Sequence, residues 1–180
     1  MFSWQNTPKV LAFLSILHLL IFVKYLIMES ITFRPANKSD LPTLLEFEQG
    51  IISFERPFNP TIRAKEVTYY DIGAFMDRAD AEVIVGTIGN EIITSGYALI
   101  KPAAPQFTYK TYVHLGFMFV RPAYRGKGIN QLLINELTNW AKKQGVLEVR
   151  LQVYSGNTAA IRAYEKVGFK KLMVEMRVKV

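Results

Sequence analysis

The spacing of apolar residues changes repeatedly along the chain, and each change predicts an element. Ile31 and Phe33 alternate with polar neighbours, as in a strand. Asn37 and Ser39 can cap a helix, Asp40 suits its first turn, and Leu41, Leu44, Leu45 and Phe47 supply its apolar face. Between Gly50 and Asp71 the pattern is broken by Pro57, Phe58, Asn59 and Pro60, which predicts a short loop and then a second helix over 62–76. Strands are predicted over 82–86 and 91–100, joined by a Gly89-Asn90 hairpin turn. Residues 102–106 read as loop and 109–120 as the next strand. Ile129, Leu132, Leu133, Leu137, Trp140 and Ala141 recur at helical offsets. Lys142 and Lys143 suit that helix's last turn, and Gly145 its stop. Residues 147–154 alternate as a strand. Ser155-Gly156-Asn157 then caps a helix over 158–167 that Gly168 ends, and 171–180 reads as a last strand. The order is strand, two helices, three strands, helix, strand, helix, strand. It predicts a mixed α/β domain, an antiparallel meander followed by β-α-β crossovers.

Residues 1–28 differ from the rest. Charge does not interrupt the run from Val10 to Val23, which Lys9 and Lys24 flank. A secretory signal would need a small-residue cleavage site of the A-x-A kind, and none follows. Two readings stay open. A membrane anchor over 10–28 needs about 20 apolar residues and Lys24 reaching the interface. Alternatively the natural start is Met28, where Met28-Glu29-Ser30-Ile31-Thr32-Phe33-Arg34 already resembles the opening of a domain. The expected division is an extension, 1–28, and one domain, 29–180.

Composition narrows the chemistry. A chain of 180 residues, half of them hydrophobic, can bury an ordinary core and is not a disordered chain. The absence of cysteine excludes disulfides, thiolate metal sites and a cysteine nucleophile, and fits a reducing compartment. The net charge of +7 would attract anions. Lys and Arg are scattered, with no run of five or more, so a dedicated nucleic-acid arm is not expected.

The stretch Val120-Arg121-Pro122-Ala123-Tyr124-Arg125-Gly126-Lys127-Gly128-Ile129-Asn130 joins a strand to a helix. First-turn amides of a helix lack internal partners, and the dipole there favours anions. Two glycines permit close approach of the backbone to a ligand, and Arg125 and Lys127 add positive charge. The turn suits a phosphate or pyrophosphate. Neither a Walker loop nor a dinucleotide fingerprint fits its spacing. A loop and cap without a ligand is the structural alternative on these residues alone.

Residues Arg125 to Asn130 resemble the [Q/R]-x-x-G-x-[G/A] turn of the GNAT superfamily, the acyl-CoA-dependent N-acyltransferases. Arg125 and Gly128 match, and Asn130 replaces the small residue usual at the last position. Downstream, Asn157-Thr158-Ala159-Ala160-Ile161-Arg162-Ala163-Tyr164-Glu165-Lys166-Val167-Gly168-Phe169 is similar to that superfamily's N-x-x-A-x-x-x-Y-x-x-x-G-F segment. The resemblance covers 29–180 and implies a single-domain GNAT fold. It implies acetyl transfer from acetyl-CoA to a primary amine of a small molecule or protein, by direct attack in a ternary complex. No metal and no nucleic-acid partner are implied. The location implied is cytoplasmic, or membrane-anchored through the extension, and a homodimer is compatible with it. The alternative is a non-catalytic acyl-CoA-binding sensor or interaction module of the same fold.

Such a transfer needs a neutral amine, a polarised carbonyl, a stabilised leaving thiolate and two substrates held in reacting geometry. By resemblance, the main chain of Met118, Phe119 and Val120 bulges away from the neighbouring strand and pairs with the pantetheine arm, leaving amides to face the thioester. Arg125, Gly126, Lys127, Gly128, Ile129 and Asn130 would hold the pyrophosphate. Tyr164 lies seven residues after Asn157, on the same helix face. By resemblance Tyr164 is the general acid and Asn157 binds pantetheine. The structural alternatives are a packed aromatic and a helix cap. For the general base the resemblance points to His114, or to position 152, where Gln152 cannot act. Glu46, Glu48 and Glu55 remain alternatives. The acceptor is expected against 50–71 and 101–110, with Phe54, Phe58, Tyr69, Tyr70, Phe107 and Tyr109 as candidate lining.

Overall fold

The computed structural model describes residues 13–19, 30–65 and 67–179. The expected extension lies outside the described residues except for 13–19, which are helical and exposed. Among the described residues, no helix is long and apolar enough to cross a membrane.

Five strands form one sheet in chain order: β1 (Thr32–Pro35), β2 (Ala81–Ile88), β3 (Glu91–Pro102), β4 (Thr111–Val120) and β5 (Val149–Leu151). The first four pair antiparallel, and β5 joins β4 in parallel. A parallel neighbour requires a crossover, here supplied by α3 (Ile129–Lys143). The other α-helices within 30–179 are α1 (Leu41–Glu55), α2 (Ile72–Phe75) and α4 (Thr158–Lys166).

Strand alternation sends successive side chains to opposite faces. Val83 and Val85 of β2 and Tyr97 and Leu99 of β3 join Leu44 and Phe47 of α1, Ile72 of α2 and Phe117 in one core. Ile84, Ala98, Val113 and Leu115 join Leu133, Ile134, Leu137 and Ala141 of α3 in the other. The sheet therefore separates an α1 side from an α3 side. The expected mixed α/β architecture is the observed one.

Four expectations change. Helix α1 continues through Gly50 to Glu55. Gly50 lies against Phe119, where an added Cβ would sit 2.6 Å from the ring, so glycine here permits close packing and does not end the helix. The second helix shrinks from 62–76 to Ile72–Phe75. The Glu48 carboxylate accepts the amides of Tyr69 and Tyr70 at 2.7 and 2.8 Å, and Gln49 donates to the Val67 carbonyl. Backbone held by side chains in this way is not free to form helical bonds. Strand 147–154 keeps only Val149–Leu151, because β4 leaves its side beyond Leu115. The last expected strand is not formed over 171–179. Leu172, Val174, Met176 and Val178 alternate as predicted but are 73–89% exposed. Alternation says which side chains share a face; it does not supply a sheet edge to pair with.

The start of α1 carries the clearest electrostatic lock. Arg34 on β1 donates to both oxygens of Asp40, at 2.7 and 2.9 Å, and Asp40 also accepts the Asn37 amide. Asn37 returns a side-chain cap to the Ser39 amide, completing a capping box. The hydrogen bond from Arg34 holds the buried Asp40 carboxyl below its ordinary range, against burial. Because folding lowers this pKa, the stabilisation is fully present above the unfolded value of about 3.9 and fades as pH falls through the lower folded value. In urea melts, Asp40→Asn should lower the midpoint at pH 7. The difference from the parent should shrink below about pH 3.9, where the parent carboxyl is also being protonated.

Candidate functional site

The site begins where β4 departs from regular pairing. Tyr97 stands opposite Gly116 and Ser95 opposite Phe119, so Phe117 and Met118 together face Gly96. That is a bulge, two residues against one. Phe117 takes φ 56°, the one left-handed non-glycine among the described residues. Its side chain is locked in the α1-side core, where Tyr70 meets it edge-on at 5.6 Å. The bulge is thus held by packing that outweighs its backbone strain. On the other side, β4 and β5 pair only from Val113–Val149 to Leu115–Leu151. Beyond those residues the two parallel strands part, and the main chain at 118–120 has no β5 partner.

The basic turn follows directly. Gly126 and Gly128 take φ 76° and 87°, in the left-handed region, and Gly128 is the N-cap of α3. Among the described residues, the amides of 126–130 donate to no other backbone group, whereas those of Gln131 and Leu132 donate to the Gly128 carbonyl. A run of free amides at a helix N-terminus is a ready anion cradle. The basic side chains are folded back. Arg125 Nε donates to the Val120 carbonyl, and its guanidinium lies over the Phe54 and Phe119 rings at 5.6 and 5.7 Å. Lys127 donates to the Ala123 carbonyl. Ile129 is buried and fixes the helix start, and Asn130 is the second residue of α3.

Helix α4 brings Tyr164 to the same region. Tyr164 and Met118 both pack on the α3-side core, and Tyr164 meets Phe169 edge-on at 6.2 Å. Burial, and then the negative charge of Glu55, push its phenol up to about 12. The hydroxyl therefore keeps its proton at neutral pH. Asn157 caps α4 by accepting the Ala160 amide at 3.2 Å. The expected cap is present, and the geometry also sets Asn157 two turns from Tyr164 along one helix.

The three acids of α1 have different fates. Glu48 holds the Tyr69 and Tyr70 amides, and Glu46 pairs with Arg121 at 3.1 Å. Glu55 is half-buried beside Tyr69, and burial holds its carboxyl above the usual range. Tyr69 lies near enough to pull that value partly back, yet its buried hydroxyl makes no hydrogen bond of regular geometry. His114 is half-buried near Tyr97, 6.1 Å between rings, and burial, with the Lys101 charge, pushes it down to about 4. It is neutral at pH 7 and a weak base. Gln152 is exposed.

Of the aromatic residues expected to line the acceptor side, the structure separates two groups. Phe54, Phe58 and Tyr154 form a contiguous series, with centroid separations of 5.8 and 6.4 Å. Asn59 donates to the Tyr154 hydroxyl at 3.3 Å. Phe107 and Tyr109 instead stack on each other and on the Arg150 guanidinium, towards the start of β4. Tyr154 was not singled out by the sequence; its only signal was its place at the end of an alternating segment.

The model of the acetyltransferase (GNAT) family matches residues 45–169. The chain belongs to the GNAT family of acetyltransferases. It is 34% identical over 79 residues to the L-ornithine N5-acetyltransferase NATA1 of Arabidopsis thaliana, a match covering 44% of this chain and 35% of that protein. The thialysine N-epsilon-acetyltransferase of Mus musculus is 26% identical over 153 residues, 81% of this chain and 87% of that one. The chain spans half or less of the length of several other curated relatives. Among solved structures, a predicted acetyltransferase with acetyl-CoA from Clostridium acetobutylicum aligns with TM-score 0.65 and 18% identity, over 83% of this chain and 96% of that one. At that identity the likeness concerns the fold. This GNAT chain therefore shares its sheet and helix arrangement with that protein, and the bulge and turn lie within the family-matched region.

Proposed function

We propose that this chain transfers an acetyl group from acetyl-CoA to a primary amine, by direct attack within a ternary complex. The observation that carries the reading is the parting of β4 from β5 immediately before the cradle of free amides. One stretch of main chain thereby lies open to an extended arm on its β5 side and offers free amides to a phosphate. In this reading the pantetheine arm lies along Met118, Phe119 and Val120 in place of the missing β5 partner. The pyrophosphate rests on the amides from Gly126 to Asn130. Amides of the bulged strand face the thioester carbonyl and stabilise the oxygen as charge develops on it.

Holding both substrates in place supplies much of the acceleration; well-oriented reactions gain about 7–11 kcal/mol. The amine nitrogen attacks the thioester carbon, the C–S bond breaks, and the thiolate leaves beside Tyr164. Tyr164 retains its proton up to about pH 12 and so can donate a hydrogen bond to that sulfur throughout the working range. Asn157, already a cap, leaves its amide nitrogen for the pantetheine arm.

The test is calorimetry with acetyl-CoA, followed by an acceptor screen of small-molecule and peptide amines against the full chain. The expected result is acetyl-CoA binding with release of CoA in the presence of at least one primary amine. Tight binding of acetyl-CoA without transfer to any amine would favour a sensor of the same fold.

A further inference from the structure

Strand β3 carries two hydroxyls where its neighbours are apolar. Thr94 and Ser95 are both fully buried, at the level where β4 bulges and leaves β5. A buried hydroxyl needs a partner, and each finds one in the main chain of β4. Thr94 Oγ1 donates to the Phe119 carbonyl at 2.6 Å, at the short end of the usual range. Ser95 Oγ reaches the Phe117 carbonyl at 3.4 Å, longer than a settled hydrogen bond. The Thr94 methyl lies against Gly86, where an added Cβ would sit 2.6 Å from it. A β-branched side chain is stiff at χ1, so this packing also aims the hydroxyl.

A held carbonyl fixes the amide behind it. A trans peptide is planar, and its C=O and N–H point in opposite directions. The Phe119 carbonyl shares its peptide with the Val120 N–H, and the Phe117 carbonyl shares one with the Met118 N–H. The ladder agrees at Val120. Arg121 donates to the Ile93 carbonyl, so Val120 and Thr94 form a non-hydrogen-bonded pair, whose main-chain groups point away from the neighbouring strand. Arg125 takes the Val120 carbonyl on that far side. The Val120 N–H faces the side from which β5 has parted. The Met118 N–H likewise points away from Ser95. A carbonyl that accepts a hydrogen bond is polarised, and the N–H of the same peptide becomes a stronger donor.

We infer that Thr94 and Ser95 are positioning residues that aim and polarise the Val120 and Met118 amides towards acetyl-CoA. This rests on the acetyl-transfer reading. In that reading the arm runs back along β4 from the phosphate cradle. Val120 meets it first, and Met118 lies nearer its thioester end. Met118 also shares the α3-side core with Tyr164, beside which the sulfur departs. Thr94 therefore acts on the hold of the arm, and Ser95 on the oxygen that gains charge. The two bond lengths suit these duties. The Thr94 bond is made before any ligand arrives. The Ser95 bond is long in the free protein, as hydrogen bonds that tighten only along the reaction often are.

The experiment compares the full chain with Thr94→Val, which keeps the shape, Thr94→Ser, which keeps the hydroxyl, and Ser95→Ala. Thermal melts establish that each variant folds. Calorimetry reads the affinity for CoA and acetyl-CoA, and kcat is taken at saturating acetyl-CoA with an amine from the acceptor screen. Infrared difference spectra read the carbonyl stretch of bound acetyl-CoA, isotopically labelled at the thioester carbon. That stretch reports polarisation of the carbonyl and is not moved by a loss of stability alone. Thr94→Val should weaken CoA and acetyl-CoA alike, by about tenfold, with kcat little changed. Thr94→Ser should return the parent affinity. Ser95→Ala should lower kcat by about tenfold with CoA affinity little changed. It should also move the labelled stretch towards its value in free acetyl-CoA. Parent affinities, rates and spectra in folded Thr94→Val and Ser95→Ala would overturn the role of the hydroxyls. So would an exchange of the two effects, or a Thr94→Ser variant as weak as Thr94→Val, since the methyl packing would then be what counts. If the parent binds no acetyl-CoA, the transfer reading falls and this inference with it. If the parent binds and transfers, and the variants match it, the transfer reading stands without the hydroxyls. If it binds without transfer, the calorimetric and infrared results still decide.

Discussion

Replacing Gly128 by glutamate should abolish most acetyl-CoA binding while leaving the domain folded. Gly128 takes φ 87° at the N-cap of α3. A non-glycine residue there costs roughly 1–2 kcal/mol in backbone strain alone. A carboxylate carried by the N-cap residue would also oppose an anion held at the helix N-terminus. Loss of even one charge-assisted hydrogen bond from the amides adds about 1.5–3 kcal/mol. The strain falls on folding and is common to free and bound protein, so the lost bond alone predicts a weakening of about 10- to 150-fold, to which repulsion between the carboxylate and the phosphates adds. The strain falls at a helix end whose following residues, Ile129, Leu133 and Leu137, are anchored in the core, so the fold should survive. Calorimetry on the variant, with a thermal melt beside it, checks both halves. Unchanged affinity in a folded variant would remove the phosphate role of the turn.

Most of the layered core could be read from period alone, because the strands that alternate are those whose two faces meet different helices. Val83, Ile84 and Val85 illustrate this: consecutive residues, sent alternately to the α1 and α3 sides. The turn was equally legible, since glycine spacing between a strand and a helix has few structural meanings. What escaped was set by partners distant in sequence. The Gly50 signal was misleading because the reason for glycine is the Phe119 ring, which no local pattern reveals. The 62–76 segment has helical spacing, but Glu48 captures its amides from another element. Residues 171–179 alternate as a strand should, yet whether an edge receives them depends on β5, which leaves its ladder at Leu151. The three acids of α1 looked equivalent in sequence. Only their tertiary partners separate Glu46 and Glu48, already paired, from Glu55, which faces phenols.

Tyr164→Phe should slow turnover about 100-fold with little change in acetyl-CoA affinity. The substitution keeps the ring, and the ring is what packs against Phe169 and the α3-side core. The hydroxyl acts only once charge reaches the sulfur, so its loss belongs in kcat and equally in kcat/KM. Positioned acids contribute about 10²–10⁴, and the burial of Tyr164 argues for the low end of that range. A phenol pushed up to about 12 is a poor donor of a whole proton to a thiolate whose conjugate acid has pKa near ~8.5. It is well suited to donating a hydrogen bond to that thiolate, since it never ionises near neutrality. The thiolate can then depart charged and take its proton from the nitrogen or from water. This distinguishes two versions of the role. A hydrogen-bond donor adds no pH dependence of its own where the phenol is intact, so the Phe variant should be slower by a constant factor between pH 6 and 9. A group that delivers its proton in the rate-limiting step gives a deficit that grows with pH, as solvent becomes a worse substitute. The measurement is kcat for both proteins across that range, on whichever amine the acceptor screen identifies, with acetyl-CoA affinity followed by calorimetry. Equal rates throughout would leave Tyr164 as a packed aromatic and nothing more.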